Sequence, residues 1–240
     1  MTDSTARRQA FRITFQVVGI AIAIVLLIWS ARQAFSDENR AQIEQLREAP
    51  VHLSILLVAL SFGTILVNGV LFFASIRSVK RIDMLGMQAT NAVAWLLSYL
   101  PFKISALMRV IIHNRRDGIP VLMVGSWFLV IGLLAATTVL PLAVASMVRD
   151  RIDVAWIAIA SSLLIVLGAA TVLVARWLET NDRIARLPLV SRVGHLESFA
   201  NLRAGLRMLD TRTVTATTIL RVIDIGILAA KFRLASIMVG

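Results

Sequence analysis

Residues 83–114 read DMLGMQATNAVAWLLSYLPFKISALMRVIIHN. Residues 83–99 have a helical pattern but are only moderately apolar, with Gln88, Thr90 and Asn91 among them. A residue that precedes proline is pushed out of the α region, so a helix arriving at Leu100 stops there. Pro101 suits the first turn of a second helix, about 102–114. That helix is too short to cross a hydrocarbon core of about 30 Å, which takes roughly 20 helical residues. The four basic residues within 103–116 decide how the pair sits. If 83–99 crossed alone, Lys103, Arg109, Arg115 and Arg116 would lie outside, against the tendency of basic loops to remain cytoplasmic. If the segment enters and returns, they lie inside. The stretch therefore predicts a re-entrant helical hairpin broken at Pro101.

On either side of this segment, apolar runs at about 13–35, 51–76, 119–148, 154–178 and 214–239 each have the length of a span. Pro50 and Pro120 open two of them, and Pro141 is expected to kink the third. The N-terminus carries Arg7, Arg8 and Arg12, and no small-residue cleavage pattern closes the first run, so that run reads as a retained span. Residues 36–50 hold two arginines and four acids and read as a short loop or helix outside. Residues 77–81 hold three basic residues and 176–212 hold seven arginines, and both read as inside. The short loop 149–153 falls outside. Every loop agrees once 83–114 is a hairpin. The expected fold is an all-α, polytopic helical membrane protein of about five spans plus that hairpin. It forms one transmembrane domain over 1–240 in the plasma (inner) membrane, N-terminus cytoplasmic. Within 188–210, Leu189, Val193, Leu196, Phe199 and Leu206 recur at helical spacing, which predicts an amphipathic helix on the cytoplasmic side.

Composition agrees. Of 240 residues, 58% are hydrophobic and 16% charged, against about 45–50% and about 25% in soluble domains. The net charge of +11 would suggest nucleic acid in a soluble chain. Here the basic residues flank apolar runs, so they read as topogenic charge facing an anionic leaflet, with no nucleic-acid partner. The chain has no cysteine, which removes disulfides and thiolate chemistry. His52, His113 and His195 share no ligand spacing and read as interfacial polar residues. No phosphate loop, paired carboxylates or nucleophile set is visible, so neither an enzyme nor a metal or cofactor is expected.

Two constellations could carry chemistry. In the first, a hairpin would bring a helix N-terminus, with its free N–H groups, to membrane depth. Lys103 in the first turn is badly placed for that dipole unless an anion, such as a lipid phosphate, lies between them. Arg109 and Asn91 complete this headgroup-binding set around Pro101. The plainer alternative is a basic stop signal whose side chains snorkel. In the second, Thr217, Arg221, Asp224 and Lys231 share one face of the last span. They read either as a polar path or as a structural ion pair of Arg221 with Asp224. Asn68 reads as an interhelical hydrogen-bond partner. Trp29, Trp127, Trp156 and Trp177 read as interfacial belts, and Gly125, Gly132 and Gly168 as close-packing positions.

Asn91, Leu100-Pro101, Lys103, Ser105 and Arg109, followed by Arg115-Arg116-Asp117-Gly118-Ile119-Pro120, resemble the motif region of the lysylphosphatidylglycerol synthase transmembrane, or flippase-like domain, family. The likeness spans about 10–240, with 91–120 its motif-like part. Ser105-Ala106 stands where the family often has Gly-Glu, and residues 125–132 lack its frequent Glu-Arg pair. The chain is expected to be C-terminally shorter than the family. The resemblance implies movement of a phospholipid or glycolipid between leaflets, with membrane lipids of anionic headgroup as partners. It equally allows a non-transporting subunit that anchors or regulates a lipid- or glycan-modifying enzyme. An integral-membrane transferase ranks last.

Overall fold

The computed structural model describes residues 48–99, 104–180 and 205–239, with isolated positions between 25 and 44. The expected first span, the expected 36–50 loop and most of the expected 188–210 helix lie outside the described residues. What is described is entirely helical: α1 (Val51–Ile76), α2 (Met84–Leu97), α3 (Ile104–Arg115), α4 (Val121–Val148), α5 (Val154–Thr180) and α6 (Thr211–Val239).

Local chemistry sets the starts. Pro50 and Pro120, neither needing to donate an N–H, precede α1 and α4. Asp83, Asp153 and Asp210 cap α2, α5 and α6, accepting from the N–H groups of Gly86 (2.6 Å), Trp156 (2.8 Å) and Thr213 (2.6 Å). The Asp210 cap explains why α6 starts at Thr211, three residues before the apolar run. α4 continues through Pro141. Among the described residues, four helices are long and apolar enough to cross a membrane: α1, α4, α5 and Thr211–Met238 of α6. Their outward faces present large apolar side chains such as Leu129, Leu173 and Phe232, each more than 60% exposed. In water such surface would aggregate, whereas a bilayer covers it.

The helices alternate in direction. α1 and α6 form the most extensive contact, antiparallel, with Gly63 opposite Ile227 and Asn68 opposite Asp224. α2 runs back along α1, with Gln88 and Asn91 against the carbonyls of Leu66 and Ile65. α3 runs antiparallel to α2, with Arg109 against Asn91 and Arg116 against Gly86. The start of α2 and the end of α3 therefore share one end of the bundle.

At that end sits the core, built on Leu71, Ile76, Met87, Ile119, Val124 and Trp127. Trp127 corrects an expectation. It is 1% exposed, its indole N–H donates to Ser75 Oγ at 2.7 Å, and Phe72 meets it edge-on. A tryptophan near a span end goes inside when a neighbouring helix offers a hydroxyl. His113, expected at an interface, is fully buried against the same ring. Gly125 and Gly132 do not mediate close packing, since nothing lies within 4 Å of where a Cβ would stand. Gly168 makes only ordinary contact with Val214, at 3.6 Å. The close approach is at Gly69 instead, where a Cβ would lie 2.0 Å from Gln88 Oε1. The described end of the 188–210 segment is buried: Met208 and Leu209 join the core, and Gly205 packs on Ser126 of α4.

Candidate functional site

α1 presents two adjacent faces. At about 100° per residue, Ile65, Gly69 and Phe72 point toward α2 and α3, while Thr64 and Asn68 turn toward α6. Each face carries a polar cluster at mid-height. Ile65 and Asn68 lie near the centre of the 26-residue α1, about 12–17 Å from the Ile76 end at 1.5 Å per residue.

The first cluster centres on Arg109. Its Nη2 donates to Asn91 Oδ1 at 2.5 Å, and Asn91 Nδ2 donates to the carbonyl of Ile65 at 2.6 Å. The guanidinium lies over the Phe72 ring, 4.0 Å from its centroid. Asn91 is 1% exposed and Arg109 8%. Arg109 Nη1 is buried without a hydrogen-bond partner, and no carboxylate pairs with the side chain among the described residues. A guanidinium is thus buried with an amide and an aromatic face for company. Taking such an ion from water costs several kcal/mol. A desolvated cation–π contact returns about 2 kcal/mol and one charged hydrogen bond about 1.5–3 kcal/mol. The site remains short of one acceptor and of negative charge.

Beside it, Gln88 Nε2 donates to the Leu66 carbonyl at 3.0 Å, while Gln88 Oε1 has no partner. Of the set expected to hold a headgroup, the structure brings Asn91 and Arg109 together. Lys103 and Pro101 lie outside the described residues. Phe72, the Ile65 carbonyl and Gly69 were not legible as site components, because only the packing of α2 and α3 on α1 identifies them.

The second cluster joins α1 to α6. Asp224 accepts from Arg221 Nη1 at 3.1 Å and from Asn68 Nδ2 at 3.1 Å. Arg221 Nε is buried and unpartnered. Asn68 is the interhelical donor its isolation suggested. Thr217 is not part of the cluster. Its hydroxyl donates into its own helix, to the carbonyls of Thr213 (2.7 Å) and Val214 (3.1 Å). Lys231 makes no ion pair among the described residues.

At the end of α3, a third network ties the hairpin to the bundle. His113 Nδ1 lies 2.7 Å from Asp117 Oδ2, and Arg116 grips the same carboxylate through Nε and Nη2, both at 2.9 Å. Arg116 Nη1 reaches back to the Gly86 carbonyl and Thr90 Oγ1. Burial alone would raise the Asp117 carboxyl. The hydrogen bonds from Arg116 and His113 outweigh it and hold the group below the usual carboxylate range. The hydrogen bond to Asp117 in turn raises Arg116. At the opposite end, the Arg149–Asp153 pair lowers the acid and raises the base across an exposed turn. No group of three or more potential metal ligands occurs among the described residues.

Comparison of the chain with protein-family models, with curated proteins and with solved structures gave no match.

Proposed function

We propose that this protein binds a phospholipid or glycolipid through an anionic headgroup and moves it between leaflets, as the resemblance to flippase-like domain proteins implies. The observation that carries the reading is the buried Arg109 guanidinium, which has a spare N–H and no counter-charge among the described residues. An arriving phosphate or carboxylate would supply both. In this reading 83–114 is re-entrant, opening on the cytoplasmic side of the plasma membrane. Lys103, just before the returning helix, and Arg109 hold the headgroup together, and Arg221 and Asp224 line or gate the path. The protein holds no recognisable nucleotide site in its sequence, so net transport draws on a gradient or simply equilibrates the lipid.

The test is leaflet exchange of fluorescent phosphatidylglycerol in proteoliposomes. The wild type should exceed protein-free vesicles. Arg109→Gln should slow exchange by about tenfold or more, as expected for one charge-assisted hydrogen bond, and Lys103→Ala should do the same. Well-folded protein that exchanges no anionic lipid overturns the proposal and favours the anchoring-subunit reading.

A further inference from the structure

A cleft of about 810 Å³ opens between the C-terminal end of α1 and the N-terminal end of α6, on the side of the Asn68–Asp224 contact nearer that end of the bundle. Its rim and its floor differ in chemistry. At the rim stand Arg77, Arg81 and Arg212, with Ser78 beside them. Among the described residues none of the three arginines has an acidic partner. Arg77 only crosses the face of Phe73, 5.6 Å from the ring centroid. The one acid at the rim, Asp210, already accepts the Thr213 N–H. Below the rim the lining is Val70, Phe73, Ala74, Ala216 and Leu220. Helix geometry makes this arrangement continuous. Residues 70, 73 and 74 on α1 and Arg77 at its C-cap fall at helical spacing, Arg81 lies in the turn that follows, and 212, 216 and 220 recur at intervals of four on α6. From Arg77 down to Val70 the groove descends about 10 Å, along two helices apolar enough to face lipid.

We infer that this cleft is a binding site for an anionic phospholipid, with its phosphate among Arg77, Arg81 and Arg212 and an acyl chain along the α1–α6 groove. Charge complementarity selects the headgroup, since guanidinium forks suit phosphate oxygens. The apolar floor, reached directly from the charged rim, selects a lipid over a free anion. A soluble phosphate would satisfy the rim and leave the floor uncovered. The site does not depend on lipid translocation by Arg109.

Native mass spectrometry of the full chain in detergent tests it, with phosphatidylglycerol and phosphatidylcholine of matched chains as probes. Retention should favour phosphatidylglycerol by about tenfold. The triple substitution Arg77→Gln, Arg81→Gln and Arg212→Gln should reduce that preference to within about twofold. Ala74→Trp keeps every charge and fills the groove, and it should lower phosphatidylglycerol retention to a similar extent. Equal retention of the two lipids by the wild type overturns the assignment. So does unchanged preference in the triple variant, or displacement of phosphatidylglycerol by glycerol phosphate at equal concentration, which would mark an anion site without a lipid component. Every comparison is repeated on an Arg109→Gln background, which removes lipid held at Arg109, and the assay reads retention and not movement, so its result is separate from that of leaflet exchange.

Discussion

At the residue scale, Gly69 shows how a small side chain is set by one neighbour. Gln88 occupies the space a Cβ would take and hydrogen-bonds the Leu66 carbonyl from there. Gly69→Ala would displace the tip of that flexible side chain and lose a bond of about 1 kcal/mol. It would also gain about 1 kcal/mol of helix propensity. The single change should therefore leave thermal stability in detergent nearly unaltered. In a Gln88→Ala background the same change should stabilise by about 1 kcal/mol. A stability loss in both backgrounds would show that Gly69 is needed for backbone approach instead. Asp117 has a pH signature. Its carboxyl is held below the usual range by Arg116 and His113, so its contribution is complete above the ordinary carboxylate value. That contribution disappears as pH falls through the lowered folded value. Asp117→Asn should flatten the acid limb of the stability profile. An unchanged acid limb would remove this carboxylate from the account. Arg116 adjoins Asp117 in the sequence, whereas His113 is an isolated histidine there and is drawn inside only where α3 ends against Trp127.

At the element scale, α1 and α6 are joined by Asn68, Asp224 and Arg221. Losing one member of a largely buried pair strands the other, whereas removing both can be nearly neutral. Asp224→Leu should destabilise by roughly 3 kcal/mol, read as a fall in melting temperature. Arg221→Leu combined with Asp224→Leu should recover most of it. If the pair also lines a lipid path, the double variant will be stable yet slow in leaflet exchange. Full exchange by a stable double variant would leave the pair a structural tie. The sequence supplied the i, i+3 spacing of Arg221 and Asp224. It could not supply Asn68, 156 residues away from Asp224, since only helix pairing creates that contact.

At the scale of the whole molecule, charge separates along the bundle axis. Arg77, Lys80, Arg81, Arg115, Arg116, Arg176 and Arg212 gather at the end where α1, α3 and α5 finish and α2, α4 and α6 begin, and Asp83, Asp117, Glu179 and Asp210 offset only part of that charge. The opposite end has Arg149 and Arg151 offset by Asp150 and Asp153. A chain without cysteine makes the orientation easy to test. With a membrane-impermeant thiol reagent on intact cells, Asp150→Cys should react, whereas Ser78→Cys and Arg115→Cys should react only after the inner face is exposed. Labelling of Ser78→Cys and Arg115→Cys from opposite sides would refute the hairpin.

The sequence by itself determined the helical class, the positions of α1, α4, α5 and α6 and the pause near Pro101. These follow from runs of apolar residues and proline stereochemistry, both of which act within a few residues along the chain. Its one-dimensional pattern could not say which faces meet. It placed Trp127 at an interface, Gly125 and Gly132 in close contacts and Thr217 on a polar wall, because a helix offers every face equally until a neighbour covers one. Only the tertiary structure put Arg109 over Phe72, Trp127 on Ser75 and three arginines around one apolar groove. Such contacts join residues far apart in the chain, and their free energy comes from desolvation that exists only once the helices have packed.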